Sequence, residues 1–565
     1  MTTESIQRKL SDKGWARWTA LLIVSFTMMC GYFLTDVMSP LDSLLTTKGK
    51  IVYFTDDTSM PADSLVSKVQ ATGHDLSEAA IAVGQTYQFM EVPAAKSDEE
   101  AATHVEAQQV TKTVKDVLSG KDWNNSEYGF FSGSYGYINV FLLMLFFGGL
   151  ILDKMGVRFT GVMSSSLMFV GALIKWYALS TDFGTGMMFG YHTQVVVASL
   201  GFAIFGVGCE ITGITVSKVI VKWFTGHELA LAMGVQVGMA RIGTAIALGL
   251  SLPIARMMGG VSYPVLMGAI ALCIGLLVYL VYCVLDKKED RSVALLHAAS
   301  AGSEEEEGFR LSDLKLIFTN KAFWMITLLC LMFYGGVFPF IKFATKLMIY
   351  KYHVSESLAG FIPAVLPFGT ILLTPVFGTL YDRIGKGATL MMIGSVMLAL
   401  VHVLFALPIM NVWWFALVVM VVLGIAFSLV PSAMWPSVPK IIPMKQLGSA
   451  YATIFYIQNI GLALIPAFMG GIIDKYAAIR NTAGDITGYD YTIPMSIFAL
   501  FGFIAIIISY MLRIEDSKKH YGLEEANIKK KTILMEEENI EEVKIELKDE
   551  KRFNHSKGDE ERFNH

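Results

Sequence analysis

Two ionisable residues, Glu210 and Arg241, lie in the middle of long apolar stretches of the sequence. Glycines flank both residues, so a ligand or another backbone can approach them closely. A charge at the centre of a membrane helix costs about 2.5–3.5 kcal/mol on insertion scales. Residues of this kind therefore usually face a water-filled cavity and serve a function.

The spacing of the two residues predicts that they lie at one depth. Glu210 lies about fifteen residues before the centre of the turn at 224–227, and Arg241 about fifteen residues after it. At about 1.5 Å per helical residue, both lie about 20 Å from that turn. In one interpretation Glu210 binds the ammonium of a zwitterion and Arg241 its carboxylate. The alternative is a buried ion pair with a packing role only.

Composition predicts the elements that hold these residues. The chain of 565 residues is 54% apolar and 17% charged, and its apolar residues fall into blocks long enough to span a bilayer. The blocks predict an all-α membrane protein with twelve spans, roughly at 18–40, 128–152, 159–180, 193–221, 229–254, 263–285, 322–350, 357–381, 388–409, 412–433, 447–473 and 492–513. All five cysteines fall inside these spans, so we expect no disulfide framework.

Lysine and arginine residues mark the side of the membrane that faces the cytosol. Their distribution places both termini in the cytosol, with Lys342, Lys346 and Lys351 as exceptions near the outer end of the seventh span. The predicted organisation is an N-terminal tail (1–17), a six-helix bundle (18–285) with an outer insertion (41–127), a linker (286–321), a second six-helix bundle (322–513) and a charged tail (514–565). The insertion is acidic, and two stretches of it have helical composition, so a small helical cap and a loosely ordered loop both remain open.

Two short turns carry the same signature, one at 149–158 and the other at 378–386. Each leaves an apolar block, turns on an aspartate, a basic residue and a glycine, and enters another block. Two copies, each after the second span of a half, resemble the loop signature of the major facilitator superfamily. That resemblance implies two pseudo-symmetric bundles around a cavity that opens alternately to each side. It implies gating roles for Asp153, Arg158, Asp382 and Arg383; a structural helix-turn role is the alternative.

A narrower resemblance is spread over both halves. The segments 221–230, 234–243, 337–341, 434–436 and 457–463 resemble the dipeptide-transporting branch typified by major facilitator superfamily domain-containing protein one. The resemblance implies that Glu210 holds the amino end of a peptide and Arg241 its carboxyl end, with Trp435 as an aromatic contact. Tyr32 and Asp36 are candidates for the outer mouth. Gln458 and Asn459 are further candidate ligand contacts, although helix–helix hydrogen bonds explain them equally well.

The sequence thus predicts a monomeric alternating-access carrier of dipeptides or related small zwitterions, in contact with membrane lipid. Proton symport and uniport both remain open. The alternatives are an organic-anion carrier of the oxalate–formate or monocarboxylate type and a non-transporting receptor or scaffold. We expect no enzyme activity, cofactor, metal or nucleic-acid partner, because no motif for any of these occurs. The expected location is the bacterial cytoplasmic membrane.

Overall fold

The apolar blocks form long helices, because a backbone in hydrocarbon must satisfy its own hydrogen bonds. The computed structural model describes residues 9–91, 108–224, 229–297, 317–443, 447–480 and 486–526. Its helices are α1 (Gly14–Asp36), α2 (Asp42–Thr46), α3 (Ala62–Gln70), α4 (Asn125–Phe141), α5 (Met144–Ser180), α6 (Thr193–Phe224), α7 (Leu229–Met258), α8 (Ser262–His297), α9 (Lys321–Tyr350), α10 (Glu356–Ala359), α11 (Phe361–Ile384), α12 (Gly387–Ala406), α13 (Trp413–Ile441), α14 (Leu447–Ile472) and α15 (Thr492–Lys519).

Eleven stretches in the described part of the chain are long and apolar enough to cross a membrane. The twelfth crossing is α4, which has 17 residues and is continued by the first turns of α5 after a break at Leu143. The architecture predicted from the sequence, twelve helices in two bundles, is confirmed. We call the end of the bundles where the described chain ends lie the inner end, and the opposite end the outer end.

The two signature turns have matching backbones at the inner end. Gly156, within α5, has a φ of 76°, and Gly385, after α11, has a φ of 72°. Positive φ is a conformation that glycine adopts without steric cost. The glycines of the repeat therefore reverse the chain between the second and third helices of each bundle.

The bundles meet along two helix pairs, α4 with α14 and α7 with α11. Small residues make the first contact close: a Cβ atom on Gly133 would lie 2.1 Å from the carbonyl oxygen of Ala463. Packing of this kind is typical of membrane helices, because lipid gives no hydrophobic drive to associate. Any larger residue at Gly133 would push the bundles apart.

The outer insertion is a small domain built on a sheet, which neither of the two possibilities left open by the sequence, a helical cap or a loosely ordered loop, includes. Strands β1 (Lys50–Phe54), β2 (Ser59–Pro61), β3 (Thr86–Glu91) and β4 (Gln108–Ser119) form an antiparallel sheet in the order β2-β1-β4-β3. Within the described residues of the two stretches with helical composition, α3 is the one α-helix, and it packs on the sheet over a separate apolar core. Two further hairpins are β5 (Met187–Met188) with β6 (Tyr191–His192), and β7 (Ala478–Arg480) with β8 (Ile486–Tyr489).

The insertion rests on both bundles. Arg256, near the outer end of α7, lies over the ring of Tyr53 at 4.4 Å and donates through Nη2 to the Asp116 carboxylate at 3.2 Å. Glu356, in α10 between the first two spans of the second bundle, lies against Tyr53 and Ser59 of the insertion. The insertion therefore bridges the outer ends of the two halves.

This contact predicts a pH-dependent stability. Burial raises the pKa of the Glu356 carboxyl, although Tyr53, Ser59 and Arg256 act in the opposite direction. A carboxyl with a raised folded-state pKa stabilises the fold at low pH, and that stability is lost as the pH rises through the raised value. We expect Glu356→Gln to match the wild type at pH 4 and to melt about 2 °C or more above it at pH 8.

Scanning fluorimetry of the purified protein in detergent measures this difference. The matched control is Glu78→Gln, which changes an exposed carboxyl of the same insertion. An equal difference between the Glu356→Gln variant and the wild type at both pH values would contradict the assignment.

Candidate functional site

A cavity of about 220 Å³ lies between the two bundles. This volume is below the roughly 300–1,000 Å³ of pockets that hold drug-sized ligands, so the cavity suits a small solute. Side chains from both halves line it: Tyr32, Thr35, Asp36, Ser132, Tyr135, Phe202, Glu210, Arg241, Tyr334, Phe338, Pro339, Lys342, Trp435, Phe455, Gln458, Asn459, Leu462 and Pro466. All seven residues predicted to bind substrate are in this set.

Glu210 faces the cavity from α6. The hydroxyl of Tyr135, on α4, donates a hydrogen bond of 2.8 Å to Glu210 Oε1. The two helices come together closely at Gly206, where a Cβ atom would lie 2.1 Å from the Tyr135 carbonyl oxygen. The glycine one turn before Glu210 thus sets the position of the tyrosine that orients the carboxylate.

Arg241 faces the cavity from α7 and is surrounded by aromatic rings. Its guanidinium carbon lies 5.8 Å from the ring centre of Tyr32, 5.5 Å from that of Phe338 and 5.2 Å from that of Phe427. Such contacts stabilise a cation without neutralising it. Tyr32 belongs to the first bundle, and the two phenylalanines belong to the second, so the arginine bridges the halves.

Glu210 and Arg241 do not form an ion pair. Both side chains lie within the described residues, and no nitrogen of Arg241 comes within 4.0 Å of an oxygen of Glu210. Tyr32 lies within electrostatic range of both charges. The interpretation as a closed ion pair is therefore wrong, and each charge is available to the cavity.

The other wall of the cavity is aromatic and amide-rich. Trp435 donates from Nε1 to the Tyr334 hydroxyl at 3.1 Å and stacks on Phe455 with ring centres 4.9 Å apart. Gln458 Oε1 accepts a hydrogen bond from Cys330 Sγ at 3.6 Å. Asn459 donates to the carbonyl of Phe455 on its own helix, while its Oδ1 has no hydrogen-bond partner in the described part of the protein.

Asp36 closes the outer side of the cavity. Lys342, on α9, donates to Asp36 Oδ1 at 2.6 Å and to the Thr35 carbonyl at 2.9 Å. The next charged pair towards the outer end, Lys346 with Asp42, is fully buried at 3.4 Å. These pairs explain the two lysines on the outer side, because each is held by an aspartate of the opposite bundle.

The candidate gating residues lie at the signature turns, away from the cavity. Arg158 contacts α8 through Asp290 at 2.9 Å and Asp286 at 3.7 Å. Asp382 is half-buried and Arg383 is exposed at the end of α11. The side chain of Asp153 lies outside the described residues.

Several residues of the site were not predicted from the sequence. Lys342 could have been found from the sequence, since it is a positive charge at the outer end of an apolar span, where lysine is not expected. Tyr135, Tyr334, Phe338 and Phe427 had none, because aromatic residues are common in membrane helices and only the packing shows which ones face the site.

A family model described as Major Facilitator Superfamily matches residues 21–350 and 340–540. The chain belongs to the major facilitator superfamily. It is similar to curated proteins named lysosomal dipeptide transporter MFSD1. The human protein is 29% identical over 362 residues, covering 62% of this chain and 73% of the relative. The Danio rerio protein is 28% identical over 368 residues, covering 63% and 75%.

Solved structures show the same major facilitator fold. The nucleoside transporter NupG aligns over 88% of this chain and 98% of its own with a TM-score of 0.55 at 14% identity. A bacterial homologue of the human lysosomal transporter Spinster aligns over 88% and 97% with a TM-score of 0.56 at 12% identity. This major facilitator is thus a multi-pass membrane carrier and not an enzyme.

Variants of Lys342 and Asp36 test whether their ion pair holds the outer side of the cavity closed. Lys342→Gln leaves a buried carboxylate without its partner, which costs about 3–5 kcal/mol. We expect a clear fall in the thermal midpoint of the purified protein, and partial recovery in Asp36→Asn/Lys342→Gln, where both charges are gone. A double variant no more stable than the single variant would show that the pair does not hold the closure.

Proposed function

We propose that this protein is an alternating-access secondary transporter of dipeptides or related small zwitterions. The observation that carries the proposal is the separation of Glu210 and Arg241. Two opposite charges that face one small cavity without pairing match a solute with an ammonium at one end and a carboxylate at the other.

Each end of such a solute finds a suitable group. The substrate ammonium binds Glu210, whose carboxylate is oriented by Tyr135. The substrate carboxylate binds Arg241, because a guanidinium offers two parallel donors that lysine cannot copy. An extended dipeptide is about 7 Å long, so it reaches between two groups that do not touch each other.

The middle of the substrate contacts side chains of the second bundle. Gln458 and Asn459 both line the cavity, and their amides face the peptide group of the substrate. Trp435 and Phe455 give an apolar surface for a substrate side chain. Binding therefore joins the halves, and release requires them to separate.

The relatives support the substrate class. Those described above carry the name lysosomal dipeptide transporter, and we extend the dipeptide part of that name to this chain. The lysosomal part of that name favours the membrane of an acidic organelle as the location, over the bacterial cytoplasmic membrane expected from the sequence. The signature turns and both termini face the cytosol in either membrane, with Asp153, Arg158, Asp382 and Arg383 as proposed gating residues.

Uptake by site variants tests the roles of the two charges. We expect Glu210→Gln and Arg241→Lys each to lower dipeptide uptake into proteoliposomes at least tenfold, because each loses a charged or bidentate hydrogen bond worth about 1.5–3 kcal/mol. The matched controls are Glu78→Gln and Arg513→Lys, which change exposed residues. Full uptake in either site variant, with an unchanged elution profile in detergent, would refute the assigned role.

One second candidate is an organic-anion carrier, because Arg241 has no carboxylate within 4.0 Å among the described residues. A competition assay separates the two, because Glu210 repels an anion that lacks an ammonium. We expect unlabelled dipeptide to block uptake of labelled dipeptide and equal concentrations of formate, oxalate or lactate to leave it unchanged. Stronger competition by the acids than by dipeptides would replace the peptide proposal with the anion carrier.

A further inference from the structure

A second cleft opens at the inner end of the first bundle, beside the first signature turn. Its lining consists of Arg158, Cys283, Val284, Lys287, Lys288 and Arg291. The set contains four basic side chains and no acidic one. The cleft is far from the substrate cavity and shares no lining residue with it.

The acids near the cleft are already occupied. Asp286 and Asp290 hold Arg158, and both also accept from Lys222 Nζ at 2.7 Å. Within the described residues, by contrast, Lys287, Lys288 and Arg291 have no carboxylate within 4.0 Å, and all three are exposed. The cleft therefore presents three cations that no acid in the described part of the protein neutralises.

The cleft lies where the lipid-facing surface of α8 ends. The preceding turns of α8 expose apolar side chains, and the exposed fraction is 57% for Leu277, 56% for Val281 and 57% for Val284. The exposed lysines follow within one turn. This change from apolar to basic is the level at which lipid phosphates lie.

The second signature turn is covered by the segment that follows α15. There the carboxylate of Glu524 accepts from the backbone N–H and the hydroxyl of Thr389, both at 2.9 Å. Lys440 donates to the carbonyls of Gly522 and Glu525. The chain thus places a segment of its own at the second turn, whereas no described residue with a carboxylate lines the cleft at the first turn.

We propose that the cleft binds the phosphate headgroup of an anionic lipid from the inner leaflet. Lys287, Lys288 and Arg291 contact the phosphate oxygens, and Val284 lies against the start of the acyl chains. Basic pockets between membrane helices bind lipid phosphates in this way. A free phosphate ion has the same chemistry at its oxygens but no acyl chains for the apolar turn of α8.

The test uses the full-length protein in neutral detergent, with dioleoylphosphatidylglycerol, dioleoylphosphatidylcholine or inorganic phosphate added. We expect phosphatidylglycerol to raise the thermal midpoint by several degrees more than phosphatidylcholine does. Native mass spectrometry should show one retained phosphatidylglycerol. Both effects should be lost in Lys287→Gln/Lys288→Gln/Arg291→Gln, which changes exposed residues outside the substrate cavity.

The control is Arg513→Gln/Lys518→Gln/Lys519→Gln, which removes three exposed charges from the inner end of α15 and should keep both effects. A full shift with inorganic phosphate and none further with lipid would assign the cleft to a soluble phosphate instead. Equal retention of phosphatidylglycerol by the two triple variants, or no preference over phosphatidylcholine in the wild type, would overturn the proposal.

Discussion

The structure depends on keeping two opposite charges in the hydrocarbon region without letting them meet. Each charge alone costs about 2.5–3.5 kcal/mol at this depth, and a closed pair between Glu210 and Arg241 would offset part of that cost. The protein instead gives each one a separate environment. A tyrosine hydroxyl holds Glu210, and three aromatic rings surround Arg241. The hydroxyl and the rings thus hold each charge in place on its own side of the cavity.

Two other pairs of opposite charges, in contrast, do form direct contacts between the bundles. Asp36 with Lys342 and Asp42 with Lys346 join the halves on the outer side of the cavity. Close helix contact at Gly133 adds dispersion energy beside them. Breaking one pair without a new partner leaves a buried charge unpaired, at high cost, so the two pairs hold the halves together in this arrangement.

Much of this organisation was predictable from sequence. Apolar blocks predicted the spans because their length must match the bilayer, and the repeated turns predicted two related halves. The equal distance of Glu210 and Arg241 from one turn predicted a common level for them, and both residues line one cavity. Their separation was not predictable, because the rotation of each helix about its axis is set by packing at Gly206 and Gly243, where backbones of neighbouring helices touch. The sheet of the insertion was missed because strands such as β4 contain Gln and Lys residues, which are common in helices, among their Val and Thr residues.

The insertion belongs to the first half of the chain, yet it contacts Glu356 of the second half. Any motion that separates the outer ends of α7 and α10 must also break the contacts that this domain makes with them. The insertion thus couples the relative position of the two halves to a folded domain outside the membrane helices.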